Sequence, residues 1–304
     1  MENLIQLDSF AIETTLKILL KDRTTNKNII WATDSYSSHG QQYGMRKEIT
    51  IDALKGLDSI ELQPRAFKSI EAQKSRTKSK AEVMTPSWIC CLMNNHCDDI
   101  WFGRSNVFNV MDGQTWKNKA GKISFPKDKK RKTWKDYVRS TRLEITCGEA
   151  PYLVSRYDTT TAEPIKLSRR IGMLDRKLRV INENTIEYDD WFKWVCIAYK
   201  STYGYEWQGD NLLIARINLL LTFCDYLKAK WNKTPTEKEL KTIAHIISWN
   251  LWQMDGLTNK VPLGGPEPEK NEDGTISPEK EYYCLIHKRN GGSTITVKFA
   301  DLQS

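Results

Sequence analysis

The stretch Arg142-Leu143-Glu144-Ile145-Thr146-Cys147-Gly148-Glu149-Ala150-Pro151 decides the fold, because a short strand-forming run passes directly into turn residues. A second run, Ser201 to Glu206, ends in the same way in Trp207-Gln208-Gly209-Asp210. Between them, Ile186 to Lys200 places Tyr188, Trp191, Phe192, Val195, Ala198 and Tyr199 on one helical face, the pattern of an amphipathic helix lying on a sheet. Asn211 to Leu227 is apolar almost all round and predicts a largely buried helix. Strands that each give way to turn residues and then to helical spacing predict a parallel sheet, and the fold class read from this pattern is α/β.

Working outward, Thr236 with Glu239 forms a capping box after Pro235 and starts another helix. Near the C-terminus, Tyr282–Lys288 and Ser293–Phe299 flank Asn290-Gly291-Gly292, the signature of a hairpin. The Pro-, Gly- and Glu-rich segment Val261 to Ser277 reads as a loop. Toward the N-terminus, a helix near Ile12–Lys21 and an apolar run at Ile29–Ala32 precede a polar, basic stretch, so residues 1–80 read as an N-terminal extension. The sharper pattern from residue 81 to 304 reads as one domain with a basic insertion near 117–135.

Charge is unevenly placed. The 304 residues hold 46 Lys and Arg against 38 Asp and Glu, a net charge of +8. Residues 64–80 hold six basic side chains and one acidic, and residues 117–135 hold nine and one, which leaves 31 basic and 36 acidic elsewhere. Basicity confined to two stretches points to local contact with a polyanion. Lys127, Lys129, Lys130, Arg131 and Lys132, with Trp116 and Trp134 nearby, would displace phosphate counterions and stack on bases; a solvated lysine-rich loop is the plainer reading. No apolar run approaches the roughly 20 residues of a membrane span, and the N-terminus lacks the pattern of a signal peptide. The seven cysteines are an odd number and include the adjacent pair Cys90-Cys91, which suits a reducing compartment, so the expected localisation is cytoplasmic.

In open parallel sheets, ligands bind beyond the carboxyl ends of the strands, where strand-to-helix turns present backbone N–H groups. Leu143–Ala150 reads as such a turn. At the end of the neighbouring strand, an acidic residue can accept hydrogen bonds from both hydroxyls of a ribose, and Glu206 in Tyr203-Gly204-Tyr205-Glu206 supplies it. Each motif taken alone also fits a plain turn glycine and a surface carboxylate.

Together these residues resemble the gamma-type S-adenosylmethionine-dependent adenine methyltransferases of DNA, including type I modification subunits. Glu82-Val83-Met84-Thr85-Pro86 is similar to the Thr-Pro segment preceding their cofactor fold, Leu143–Leu153 to their first cofactor motif, and Tyr203–Leu221 to the second motif with its helix. The three occur in the family's order over residues 81 to about 255, and the strings Trp88–Asn95, Glu144–Asp158, Leu174–Asn184 and Ile247–Leu257 look like a bacterial and phage group of restriction–modification methyltransferase subunits. The resemblance implies a Rossmann-like class I sheet and S-adenosyl-L-methionine as cofactor. Thr85 and Pro86 would line its amino-acid end, Glu144, Cys147 and Gly148 would surround its methionine part, Glu206 would hold its ribose and Trp207 would cover its adenine. Double-stranded DNA is the implied partner, with a specificity or nuclease subunit beside it.

Two departures matter. The family's second glycine in the first motif is Ala150 here. In place of an Asn/Asp-Pro-Pro-aromatic sequence on the fourth strand stands Ser248-Trp249-Asn250-Leu251-Trp252-Gln253, so Asn250 would accept from the target amine and Trp252 would stack on an extruded base. A helix continuing through Leu240–Ile247 would instead leave no fourth strand there. The resulting function is methyl transfer to the exocyclic amine of adenine; the alternative is a catalytically altered DNA-binding subunit of a restriction or modification complex. Cys90, Cys91, His96 and Cys97 are too tightly spaced for a tetrahedral zinc site, so no metal is expected. The sequence shows neither a nucleophile elbow nor a Lys-Ser/Thr phosphate loop. The cluster Glu187, Asp189 and Asp190 lacks the Glu-x-Lys strand of a metal-dependent nuclease.

Overall fold

The computed structural model describes residues 4–80, 82–126, 132–268, 278, 280–290 and 293–303. Among these, α1 (Phe10–Leu19), α2 (Ile51–Lys55), α3 (Ile70–Lys80) and α4 (Ser87–Phe102) come before a small antiparallel pair, β1 (Asn109–Asp112) and β2 (Thr115–Asn118). Then follow α5 (Trp134–Arg139), β3 (Arg142–Ile145), α6 (Met173–Asn184), α7 (Tyr188–Lys200), β4 (Thr202–Glu206), α8 (Gly209–Trp231), α9 (Glu237–Asn250) and β5 (Leu251–Gln253). The hairpin β6 (Leu285–Asn290) and β7 (Ser293–Lys298) completes the order, and its Gly291-Gly292 turn lies outside the described residues.

The expected parallel sheet is present, with three strands in the order β3-β4-β5. Leu143 pairs with Tyr203 and Ile145 with Tyr205, while Trp252 pairs with Tyr205 and Gln253 with Glu206. β4 is buried along its whole length, as a central parallel strand must be when both faces are covered. Parallel neighbours need long crossovers, and here α6 and α7 join β3 to β4 while α8 and α9 join β4 to β5. The starts of α9 and α6 have a visible cause. Thr236 and Glu239 form the reciprocal capping box read from sequence, and the Asp175 carboxylate accepts from the N–H groups of Gly172 and Ser155 at the start of α6.

Residues before 81 do not stand apart from this core. Ile5, Ile12, Leu16, Leu19, Trp31 and Ile49 belong to the same apolar cluster as α8 and α9. Three polar devices fix them there. The fully buried Arg216 of α8 donates to the carbonyls of Leu19, Lys21, Ser248 and Leu251, thereby tying the ends of α1 and α9 to β5. Burial pushes its guanidinium pKa down to about 10, against the opposing charge of Asp22. The buried Gln253 side chain accepts from Ile30 N–H at 2.9 Å and donates to the carbonyls of Ile30 and Trp207 at 2.9 and 2.8 Å. Gly209 N–H donates to Trp31 O at 2.9 Å, an approach so close that a Cβ on residue 209 would lie 2.0 Å from Ile30 O.

Gly209→Ala must therefore push the 29–32 segment away from the start of α8. The expected cost is about 1–3 kcal/mol, read as a lower urea midpoint with an unchanged slope; an unchanged midpoint would show that the contact does not hold this segment.

Candidate functional site

At the carboxyl ends of β3 and β4 lies a pocket of about 580 Å³. Its floor is Glu144 of β3 and the turn after it, with Thr146, Cys147, Gly148, Pro151 and Tyr152; one wall is Glu206 of β4, the turn Trp207-Gln208 and Asn211 at the start of α8. The opposite wall is Glu82, Val83, Met84 and Thr85, with Met45 and Lys78 at its margin. Thus Thr85, Glu144, Cys147, Gly148, Glu206 and Trp207, separated by up to 122 residues in the chain, line a single cavity. Pro86 does not line it; it sits at the N-cap of α4.

The two strand-end turns are joined directly. Gly148 N–H donates to Glu206 Oε2 at 2.9 Å and Gln208 N–H to Glu206 Oε1 at 3.1 Å. Gly204 makes this possible, since a Cβ there would stand 3.1 Å from Cys147 Cβ. Burial pushes the Glu206 carboxyl up to about 7, against the pull of its two backbone donors. Burial also raises the Glu144 carboxyl well above the usual range, although the N–H groups of Tyr152 and Leu153 point to its oxygens at 3.3 and 3.2 Å. The Cys147 thiol, buried beside these carboxylates, is held in its neutral form. Gly148 and Ala150 both take the left-handed conformation, φ 51° and 66°. Ala150 stands where the family pattern has glycine, in the backbone region that favours glycine.

Beside the pocket, a buried ionic group fastens α3 and Glu82 to the first turn of α8. Arg76 pairs with Glu82 and Asp210, while Lys68 and the Tyr36 hydroxyl reach Asp210 at 2.9 and 2.8 Å. Asn211 Nδ2 donates to Glu82 at 3.0 Å. Although burial opposes ionisation of Asp210, Lys68 and Arg76 hold its carboxyl well below the usual carboxylate range. Trp207 is half-buried and donates its indole N–H to Ala32 O at 3.1 Å, which fixes the ring at the pocket wall.

Asn250 and Trp252, expected to act on the target base, are not brought to this pocket. The helical period continues through Asn250, the last residue of α9, so Asn250 stands at the amino end of β5 whereas the pocket opens at the carboxyl ends. Its amide is buried and donates to Tyr199 O and Thr202 O at 2.9 and 3.1 Å. Trp252, 2% exposed, packs with Tyr203, Tyr205 and Phe299 under the C-terminal hairpin. β5, moreover, lies beside β4, so the strand following Asn250 is not a new neighbour of β3.

Of the basic stretch, Lys127, Lys129, Lys130 and Arg131 lie outside the described residues. Lys132 donates to Trp101 O at 2.7 Å and lies over the Trp101 ring. Trp116 is buried and donates to Arg169 O, and Trp134 packs on Trp194, so neither ring is a free stacking platform. Cys90 and Cys91 are buried in α4, whereas Cys97 is exposed.

Sequence reasoning passed over Glu82, Met84, Gln208, Asn211, Tyr152, Met45 and Lys78. The first five sit within or next to the strings that carried the reading, whereas Met45 and Lys78 reach the pocket from segments without a motif.

Arg76→Met would leave Glu82 and Asp210 as buried carboxylates with Lys68 the nearest cation. The expected loss is about 3 kcal/mol at pH 7, read as a lower urea midpoint; an unchanged midpoint would show that the ionic group does not fasten these elements.

With this geometry in hand, the chain matches no protein-family model, no curated protein and no solved structure.

Proposed function

We propose that the pocket binds S-adenosyl-L-methionine and that the chain acts in methylation of the exocyclic amine of adenine in double-stranded DNA, in a restriction–modification setting. The observation that carries this reading is the meeting of the Gly148 and Glu206 turns around one cavity. Under it, the three parallel strands are part of a Rossmann-like methyltransferase sheet.

The lining suits such a ligand in three ways. A volume of about 580 Å³ falls within the range of small-molecule sites. Of the acidic lining residues, Glu82 is paired with Arg76 and burial keeps Glu144 from ionising readily, so Glu206 is the carboxyl left to meet a positively charged ligand. The buried Gln208 Oε1 has no hydrogen-bond partner among the described residues, so an acceptor is available at the pocket wall. Glu206, already oriented by two backbone donors, keeps lone pairs for the two ribose hydroxyls. Glu144 and the Cys147-Gly148 turn would flank the methionine part, Thr85 its amino-acid end, and Trp207 would cover the adenine. The bound cofactor supplies an electrophilic methyl group, and the chain's part in its transfer is to position it and exclude water.

The second reading, a DNA-binding subunit with altered chemistry, is favoured by one specific observation: Asn250 and Trp252 lie away from the pocket. Incubation with radiolabelled S-adenosylmethionine and mixed genomic DNA separates the two. Label in DNA supports transfer, cofactor binding without label supports the second reading, and absence of cofactor binding ends the first.

The pH dependence of binding follows from Glu206. Its pKa of about 7 means that a carboxylate able to accept from both ribose hydroxyls forms only as pH rises through 7. Calorimetric affinity for S-adenosylhomocysteine should therefore increase between pH 6 and 8, and Glu206→Gln should both weaken binding by about tenfold or more and flatten this dependence. An equal pH slope in the variant would remove Glu206 from the ribose role.

A further inference from the structure

We infer that a groove toward the amino ends of β3 and β4 binds a small amphipathic anion, a carboxylate or phosphate head on an apolar body. This inference does not rest on the proposed cofactor. The groove shares no lining residue with the pocket, which opens at the other ends of the same strands.

The sheet explains why a groove exists here. All-parallel sheets are normally covered on both faces, because crossover helices shield them. Leu143 and Tyr203 are register partners on adjacent strands and so lie on one face. The β6–β7 hairpin packs on that face and buries Tyr203 and Trp252, whereas Leu143 stays 37% exposed. The incomplete cover leaves a groove of about 400 Å³ with Leu143, Tyr203, Trp252, Ile286, Phe299 and Leu302 as its apolar lining. A cavity of this size, mostly apolar with a few polar groups converging on it, has the form of a small-molecule site.

Charge selects the occupant. Arg139, Lys200, Lys288 and Arg289 line the groove, and no acidic residue does. Arg139 and Lys200 end α5 and α7, where cations suit the carbonyl ends of helices. Lys288 and Arg289 stand on the hairpin and have no helix end to serve. Lys288 shares a face of β6 with the buried Ile286, which brings it to the groove from the hairpin side. Among the described residues, Lys200, Lys288 and Arg289 make no ion pair, and Arg139 reaches only Asp136, at 4.0 Å. Four cations around one cavity repel one another, and an anionic head relieves that repulsion while accepting hydrogen bonds from arginine forks and lysine ammonium groups. The apolar lining takes the body of the same molecule. A bare inorganic anion or a neutral apolar compound uses only half of the groove, and a DNA duplex would find the cations but leave the apolar lining unused.

The test uses the full chain and calorimetry with three compounds of one chain length, octanol, octanoate and octyl phosphate, each below its micelle concentration. Affinity should rise in that order, by about tenfold from octanol to octanoate and further to octyl phosphate, whose head carries more charge. Inorganic phosphate at the same concentration should give no binding heat. Added salt should weaken octyl phosphate and leave octanol unchanged. Lys288→Glu with Arg289→Glu should abolish binding of octyl phosphate, and Lys288→Arg with Arg289→Lys should retain it. Leu143→Trp, on a different element, fills the groove while keeping all four cations, and should weaken both anions by about tenfold. Any other order of affinities, or octyl phosphate binding that survives either the charge reversal or Leu143→Trp, overturns the proposal. So does a short DNA duplex that displaces octyl phosphate and binds Leu143→Trp as well as the unaltered chain, since a polyanion then uses the cations without the apolar lining.

Discussion

The buried Glu206 carboxylate is the fixed point of the pocket, because it accepts hydrogen bonds from the turn after β3 and the turn after β4 at once. A carboxylate buried to this extent is costly to ionise, and its position is kept by backbone donors rather than by a cation. That choice has a chemical consequence. A cation here would consume the acceptor capacity that a diol or a positively charged ligand needs, whereas two N–H donors leave part of it free. The cations that the neighbourhood does supply, Lys68 and Arg76, are spent on Asp210 and Glu82 instead.

Much of the sheet was legible in the sequence because its signals are local. Runs of strand-forming residues ending in Cys-Gly and in Trp-Gln-Gly, helical spacing in Tyr188–Lys200 and the Thr236–Glu239 box all act within a turn or two of themselves, and the structure contains β3, β4, α7 and α9 at those places. The pocket lining was legible where the carboxyl-terminal half of such a strand carried a polar residue, as at Glu206 and Glu144. Asn250 was misread since helical and strand patterns overlap across Trp249–Gln253, and the boundary is settled by a tertiary event, the pairing of Gly204 with Leu251. Helix then claims Asn250, and its amide closes carbonyls of α7 and β4.

The integration of the N-terminal residues was hidden for a different reason. Arg216 and Gln253 reach backbone carbonyls and amides of α1 and the Ile30 segment, and a main-chain acceptor leaves no mark in the side-chain sequence. Both are polar residues inside otherwise apolar elements, and burial in a core demands a full set of partners for each. Such residues, read as isolated polar positions in α8 and β5, are the sequence trace of a segment that closes over them.

The position of β3 at the sheet edge bears on the pocket. In open parallel sheets a ligand crevice forms where strands on either side send their connections apart. Here the connections after β3 and β4 supply the floor and one wall, and the Glu82–Thr85 segment supplies the other; beyond β3 no further strand end contributes among the described residues. Thr146, the first residue past β3, both lines the pocket and adjoins the free edge. The cavity is thus built on one side only, by the β3 and β4 strand ends and the Glu82–Thr85 segment, and Asn250, at the amino end of β5, lies at the opposite end of the sheet from it.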